Sequence, residues 1–326
     1  MMRRLVALIV TGAVFSAPVF ARDLIMGFPV DCTLGEDCFV LNLVDADPGK
    51  GAADFTCGPR SYDGHKGTDF ALLSYQSMRD GVDVVAAAPG RVRGVRDGMV
   101  DKTYKPEDKA ALGGRDCGNG MVVDHGGGWE TQYCHLKQGS VTVKPGQAVR
   151  MGQVLGKIGL SGRTQYPHLH ISVRKDGQRV DPFDPDGITT CGTRPPLDEQ
   201  LWQVPIPYAD GGIVTSGFAP ELPEYEAIKQ GSVTYPQIRP DAPALVGWSF
   251  IYGPRKGDIL RMRLEGPDGV VIEKDLELTK TQVLASRSIG RKTRTPWPPG
   301  RYSISTWLIR DGQVLDAHIS DVLVTP

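Results

Sequence analysis

The sequence predicts an all-β chain: a compact antiparallel β-sheet domain followed by a small β-sandwich of immunoglobulin-like architecture. Three observations predict it. Short apolar alternations such as "VDVVAAAPGRVRGVR" and "SVTVKPGQAVRMGQVLGKIG" recur between Gly-rich turns, at the spacing of about 8–12 residues expected of antiparallel strands. The 40 Gly and 25 Pro leave few long stretches with helical periodicity. All six cysteines lie before residue 192, which sets a stapled N-terminal half against an unstapled C-terminal half.

Residues 1–21 read as an export signal. Arg3 and Arg4 precede the apolar run "LVALIVTGAVF", and Val19 and Ala21 suit cleavage after Ala21. The run is short for a membrane span, and no cysteine sits at the cut, so no stable membrane anchor is expected. Losing Arg3 and Arg4 makes the formal net charge of −1 more negative by two, and nothing suggests nucleic-acid binding. In an exported chain, Cys32, Cys38, Cys57, Cys117, Cys134 and Cys191 read as disulfides. The expected pairs are Cys32–Cys38, Cys57–Cys117 and Cys134–Cys191. Residues 22–56 read as a disulfide-tethered arm and 57–191 as the first β domain. Within that domain the polar segment 97–116 is long for a β connection and could wall a groove. The Pro-rich stretch 192–210 reads as a linker. Residues 211–326 read as the sandwich, with "PDG" and "RDG" turns between strands, and its single histidine, His318, reads as incidental.

The chemistry concentrates in the histidines. In "YPHLHISVR", strand alternation places His168, His170 and Ser172 on one face and Leu169, Ile171 and Val173 on the other. In "GHKGTDFAL", His65 and Asp69 share a face. In "TQYCHL", the same rule groups His135 with Tyr133 and Thr131 and points Cys134 the other way. A catalytic zinc site takes about three nitrogen or oxygen ligands and keeps a position open for water. His65, Asp69 and one of the His168/His170 pair supply two imidazoles and a carboxylate. The remaining histidines are then free to act beside the bound water, whose pKa zinc lowers to about 7.

In this order the residues resemble the lysostaphin-like (LytM-type) zinc metallopeptidases, which cut peptide bonds in bacterial peptidoglycan. "GHKGTDFA" is similar to the family's His-x-Gly-x-Asp segment, "VVAAAPGRVRGV" to its Ala-Pro-x-x-Gly-x-Val strand, and "GNGMVVDHGGGWETQYCHL" to the segment ending in Tyr-x-His-Leu. "VKPGQAVRMGQVLGKIGLSGRT" resembles its Gly-Gln-x-Val-x-x-Gly hairpin, and "PHLHISVRKDGQRVDP" its Pro-His-Leu-His strand and Val-Asp-Pro exit. The likeness covers roughly residues 60–185. It implies a compact antiparallel β metallopeptidase domain holding Zn2+ through His65, Asp69 and His170. It also implies that His168 and His135 flank the zinc-bound water as acid/base and oxyanion partners. The implied substrate is the peptide part of peptidoglycan. A disulfide-rich exported chain suits the periplasm, where the cross-link from D-Ala to a diamino acid is the expected bond. Relatives that lost ligands regulate other wall hydrolases, and a wall-binding module is a further class; all five metal and catalytic positions are present here. The chain departs from the family at "RTQYP", where bulky Tyr166 replaces a small-residue run and is expected beside the site. His125 reads as structural, Asp124 and Asp181 as turn caps, Tyr133 as either groove or core, and the five tryptophans as core or rim. The sequence does not define an oligomeric state.

Overall fold

A computed structural model describes residues 24–187, 191–193 and 195–325, so the expected signal segment lies outside the described residues. The first ten strands are β1 (Cys38–Asn42), β2 (Thr68–Leu72), β3 (Asp83–Val85), β4 (Gly90–Arg96), β5 (Asn119–Gly126), β6 (Trp129–Leu136), β7 (Ala148–Val149), β8 (Val154–Lys157), β9 (His168–Lys175) and β10 (Gln178–Val180). Eight of them form one antiparallel sheet in the order β1-β2-β9-β6-β5-β4-β7, with β10 added to β9. Strands β3 and β8 pair separately. Only short helices interrupt this pattern: α1 (Tyr75–Asp80), α2 (Lys109–Leu112) and α3 (Tyr225–Gln230). Among the described residues no helix is long and apolar enough to cross a membrane.

Alternation decides which face of the large sheet is buried. Phe70 of β2, Leu169, Ile171 and Val173 of β9 and Tyr133 of β6 are almost wholly excluded from solvent and share a core with Val84 and Leu155 of β3 and β8. The opposite face carries Asp69, His170, Ser172 and Arg174. The β9–β10 hairpin turns at Asp176 and Gly177, both with positive φ, as an Asp-Gly two-residue turn requires.

The expected arm, described from residue 24, is bound by main-chain pairing. Strand β1 lies along β2, Val30 bridges to Val84, and Met26 bridges to Trp202. Its cysteines close a local loop, Cys32–Cys38, as expected. The other two expected pairs are corrected: the bonds are Cys57–Cys191 and Cys117–Cys134. The physical reason is register. The amide of His135 donates to the Cys117 carbonyl at 2.8 Å, which sets Cys117 beside Cys134 and leaves Cys57 and Cys191 to each other.

The C-terminal strands are β11 (Gly212–Ala219), β12 (Gln237–Ile238), β13 (Ala244–Tyr252), β14 (Ile259–Gly266), β15 (Gly269–Glu277), β16 (Leu284–Lys292), β17 (Gly300–Arg310) and β18 (Gln313–Val324). The sheet β11-β13-β16 and the sheet β12-β18-β17-β14-β15 share one core, built from residues such as Leu245, Ile251, Met262, Ile304 and Leu308. The "RDG" turn between β17 and β18 again has two positive-φ residues, Asp311 and Gly312. Strand β13 is buried on both faces. Leu245 and Ile251 point into the sandwich core, while Trp248 and Phe250 join the core of the first unit. Phe250 meets Tyr166 edge-on at 6.1 Å, and Tyr252 stacks on Phe39 at 4.8 Å. The buried Arg60 guanidinium sits over Tyr252 and donates to the carbonyls of Val40, Leu41 and Ala209. The Pro-rich stretch is likewise packed: Leu201, Trp202 and Ile206 are buried.

Candidate metal centre

The candidate ligand residues come from two neighbouring strands and one loop. Asp69 on β2 pairs directly with His170 on β9, so both side chains emerge from the same face. His65 precedes β2, and its ring is turned in because Nδ1 donates to the Leu43 carbonyl at 2.6 Å. Three ligand atoms then converge. His65 Nε2 lies 3.1 Å from Asp69 Oδ1 and 3.1 Å from His170 Nδ1, and His170 Nδ1 lies 2.8 Å from Asp69 Oδ1. A carbonyl oxygen only accepts, so His65 Nδ1 carries the ring hydrogen and Nε2 presents a lone pair. A carboxylate and two imidazole nitrogens this close require a proton or a cation among them. Zinc bonds of about 2.0–2.1 Å imply a tetrahedral ligand–ligand edge of about 3.3 Å, close to the observed spacing. The donor set and spacing therefore fit a zinc ion. The other clustered set, Cys32, Asp37 and Cys38, has its sulfurs locked in a disulfide.

Electrostatics agree with a cation-seeking cluster. Burial would lower His65, but the Asp69 carboxylate outweighs it and the ring sits above its ordinary value. Burial would raise Asp69, yet His65 and His168 hold its carboxyl well below the usual range. Burial lowers His170, with Asp69 opposing.

His135 and His168 stand beside this cluster, with ring centroids 4.8 Å apart. His135 Nδ1 donates to the Ser161 carbonyl at 2.8 Å, and His168 Nδ1 donates to the Tyr166 carbonyl at 2.8 Å. Nε2 is then the remaining nitrogen of each ring, and that of His168 lies 3.4 Å from Asp69 Oδ1. Burial, reinforced by the neighbouring His168 and His170 rings, pushes His135 well below its ordinary value and keeps it neutral. One expectation is corrected here. Tyr133 and Thr131 lie on the core face, and Cys134 is register partner of His170 on the site face. His135 reaches the site because its backbone is left-handed, φ 64°, which breaks the alternation at that residue.

Further residues position the site, and of these Asn42 was not singled out from sequence while Ser172 was placed only on the shared face. Asn42 of β1 donates through Nδ2 to Asp69 Oδ2 at 3.0 Å. Ser172 Oγ lies 2.9 Å from His170 Nε2 and fixes that ring. Gly67 runs under His170: a Cβ there would press on the Ile171 carbonyl and lie 2.8 Å from His170 Nε2. The sequence signal for Gly67 was its place between His65 and Asp69. Asn42 and Leu43 carried no local signal.

Tyr166 does not lie in the site. It is buried, its hydroxyl donates to the Leu73 carbonyl at 2.7 Å, and its ring packs on Tyr75 and Phe250. Its backbone carbonyl, rather than its ring, serves His168. His125 is structural, held between the Pro89 carbonyl and Thr131, and Tyr133 is a core residue whose hydroxyl takes the Ala87 amide. Asp124 and Asp181 accept the amides of Gly126 and Phe183, as turn caps do. Segment 97–116 lies against the strip that supplies Ser161 and Thr164, through Lys102 to Leu160 and Tyr104 to Thr164 main-chain bonds.

Residues 63–182 match the model of peptidase family M23. The DD-carboxypeptidase/endopeptidase Mpg of Neisseria meningitidis is 36% identical over 111 residues, covering 34% of this chain and 23% of that protein. The peptidoglycan DD-endopeptidase ShyB of Vibrio cholerae is 32% identical over 122 residues, covering 37% of this chain and 23% of that protein. The matched stretch thus spans about a quarter of those relatives. Among solved structures, a zinc-containing peptidase from Vibrio cholerae aligns at 26% identity over 44% of this chain and 39% of that one, with a TM-score of 0.29.

Proposed function

With residues 63–182 a peptidase family M23 domain of the LytM type, we propose that this chain is an exported, catalytically active zinc endopeptidase that hydrolyses peptide cross-links of bacterial peptidoglycan. The observation that carries the proposal is the completeness of the set. Three ligand atoms converge within 3.1 Å of one another, and two further histidines, His135 and His168, stand beside them with Nδ1 held by backbone carbonyls. A silent regulator of other hydrolases has no need of all five.

His65, Asp69 and His170 would hold the zinc, with Asn42 and Ser172 fixing the carboxylate and the last imidazole. Zinc, when bound, acidifies water and polarises the carbonyl under attack. His135 and His168 do the proton work. Their Nδ1 hydrogens are engaged by backbone carbonyls, so each can take a proton only at Nε2 and then offers an N–H toward the developing oxyanion or the departing amine. Three disulfides support an oxidising compartment, for which the periplasm is the proposal. The proposed bond is that between D-Ala and a diamino acid.

The test is digestion of purified peptidoglycan by the mature chain, with and without a chelator, with released fragments identified by mass. Fragments cut at one peptide bond are expected from wild type only. Equal release by His65→Ala or by chelated protein would refute the proposal.

A further inference from the structure

Beyond the metal cluster, the same sheet face carries an excess of arginine. His170, Ser172 and Arg174 follow one another along the site face of β9, so Arg174 lies about 13 Å from His170 at strand spacing. Its register partner on β10 is Arg179. Two cations directly opposed on one face of an antiparallel pair repel. On the other side Arg174 pairs with Glu130 of β6, its Nε lying 3.5 Å from Oε2, while Nη1 donates to Gln132 at 3.0 Å. Glu130 is already engaged by Arg93. Arg179 forms no ion pair among the described residues. Its Nη1 donates to the carbonyl of the ligand residue His65 at 3.3 Å. The nearby Asp45 carboxylate feels Arg179 but is taken up by the amides of Asp47, Ala53 and Gly64.

Arg93 and Arg174 therefore share one carboxylate, Arg179 has no ion pair among the described residues, and Arg174 and Arg179 face each other across a strand pair. Guanidinium forks suit carboxylates, which they bind through two parallel hydrogen bonds. We propose that Arg174 and Arg179 form a subsite for a free carboxylate of the substrate peptide, with Arg93 and Glu130 setting the orientation of Arg174. An extended peptide advances about 3.3–3.6 Å per residue, so the recognised carboxylate lies within about four residues of the scissile bond. This assignment rests on the endopeptidase reading and names the chemistry its substrate carries.

The test uses two fluorescein-labelled cross-link peptides of identical sequence, one with free carboxylates and one with them amidated. Binding is measured by anisotropy on the full chain in chelator, where neither peptide is expected to turn over. Steady-state kcat and KM are measured separately in zinc. Wild type is expected to bind the free acid at least about tenfold more tightly than the amide, as charged hydrogen bonds imply. Arg174→Gln and Arg179→Gln are expected to lose most of that preference, through KM rather than kcat, while binding the amide within about twofold of wild type; Arg174→Lys should keep part of it. The amidated peptide reports the fold of each variant, and exposed Arg179 gives an independent second site. The proposal is overturned if wild type does not discriminate between the peptides or binds neither, or if both glutamine variants keep the preference. Chelator-resistant cleavage would refute the zinc mechanism and leave the binding result standing.

Discussion

Asp181 follows β10 and caps the turn into Phe183, whose amide donates to its Oδ1 at 2.9 Å. Its other oxygen, Oδ2, is shut off from solvent and has no hydrogen-bond partner. Burial, with Asp184 and Asp54 adding like charge, pushes the carboxyl up to about 7, against the Phe183 amide and Arg179, from an ordinary 3.8. In the folded chain the group thus keeps its proton well above the pH at which the unfolded chain releases it. The sign follows from linkage: where the folded state binds more protons, stability falls as pH rises. Asp181 contributes its full stabilisation below about pH 4 and loses it by about pH 7, at about 1.4 kcal/mol per pH unit. Between pH 5 and pH 8 the loss is about 3 kcal/mol. Asp181→Asn keeps the Oδ1 acceptor and removes the titration. Chemical unfolding of both proteins at fixed zinc, at pH 5 and pH 8, isolates the effect, because every other titrating group cancels in the difference. The expected result is that Asp181→Asn gains about 3 kcal/mol relative to wild type between the two pH values. Parallel pH profiles would mean that the carboxyl is ionised in the fold, and the reasoning from its buried Oδ2 would be wrong.

Two further outcomes are expected. Asn42→Ala removes the amide that holds Asp69 Oδ2 and should weaken zinc binding by about 10–100-fold, read by competition with a chromophoric chelator; unchanged affinity would count against the positioning role. Replacing both Cys117 and Cys134 by Ser opens a loop of sequence separation 17 and should cost about 3 kcal/mol in denaturant unfolding. The same variant should lose turnover in excess of that destabilisation, because the Cys117 carbonyl holds the His135 amide. Full kcat in the folded double variant would break that link.

Much of the fold was readable where one residue type admits few backbone states. Asp176–Gly177 and Asp311–Gly312 stand in the left-handed region at hairpin turns, as Asp-Gly pairs between alternating runs suggest. Leu169, Ile171 and Val173 are buried as their spacing requires. The clustering of His65, Asp69 and His170 was readable because His65 and Asp69 are close in sequence and His170 sits on a strand of clear periodicity. The rest depended on register between distant segments. Asn42 and Leu43 reach the site only because β1 adds to the edge of β2. The pairing of Cys57 with Cys191, 134 residues away, follows from where both ends of the unit meet. Tyr166 was expected beside the site, but its hydroxyl found the Leu73 carbonyl and its ring found Phe250, a partner from the second unit.

His135 shows why one local rule had to fail. Tyr133 and Thr131 are committed to the core, so a regular strand would have sent His135 into the core with them. A left-handed backbone at a non-glycine residue costs about 1–3 kcal/mol and persists only when its surroundings hold it. Here both main-chain groups are held: the amide donates to Cys117 and the carbonyl accepts from Gly159 at 2.9 Å. The Cys117–Cys134 bond fixes the first contact, and the ring's Nδ1 bond to Ser161 fixes the second side. The departure from alternation therefore falls at the residue whose imidazole the proposed chemistry needs on the metal face. Conflict between a local rule and the fold is expected at functional positions, and at His135 the neighbouring disulfide and loop supply what the strand alone does not.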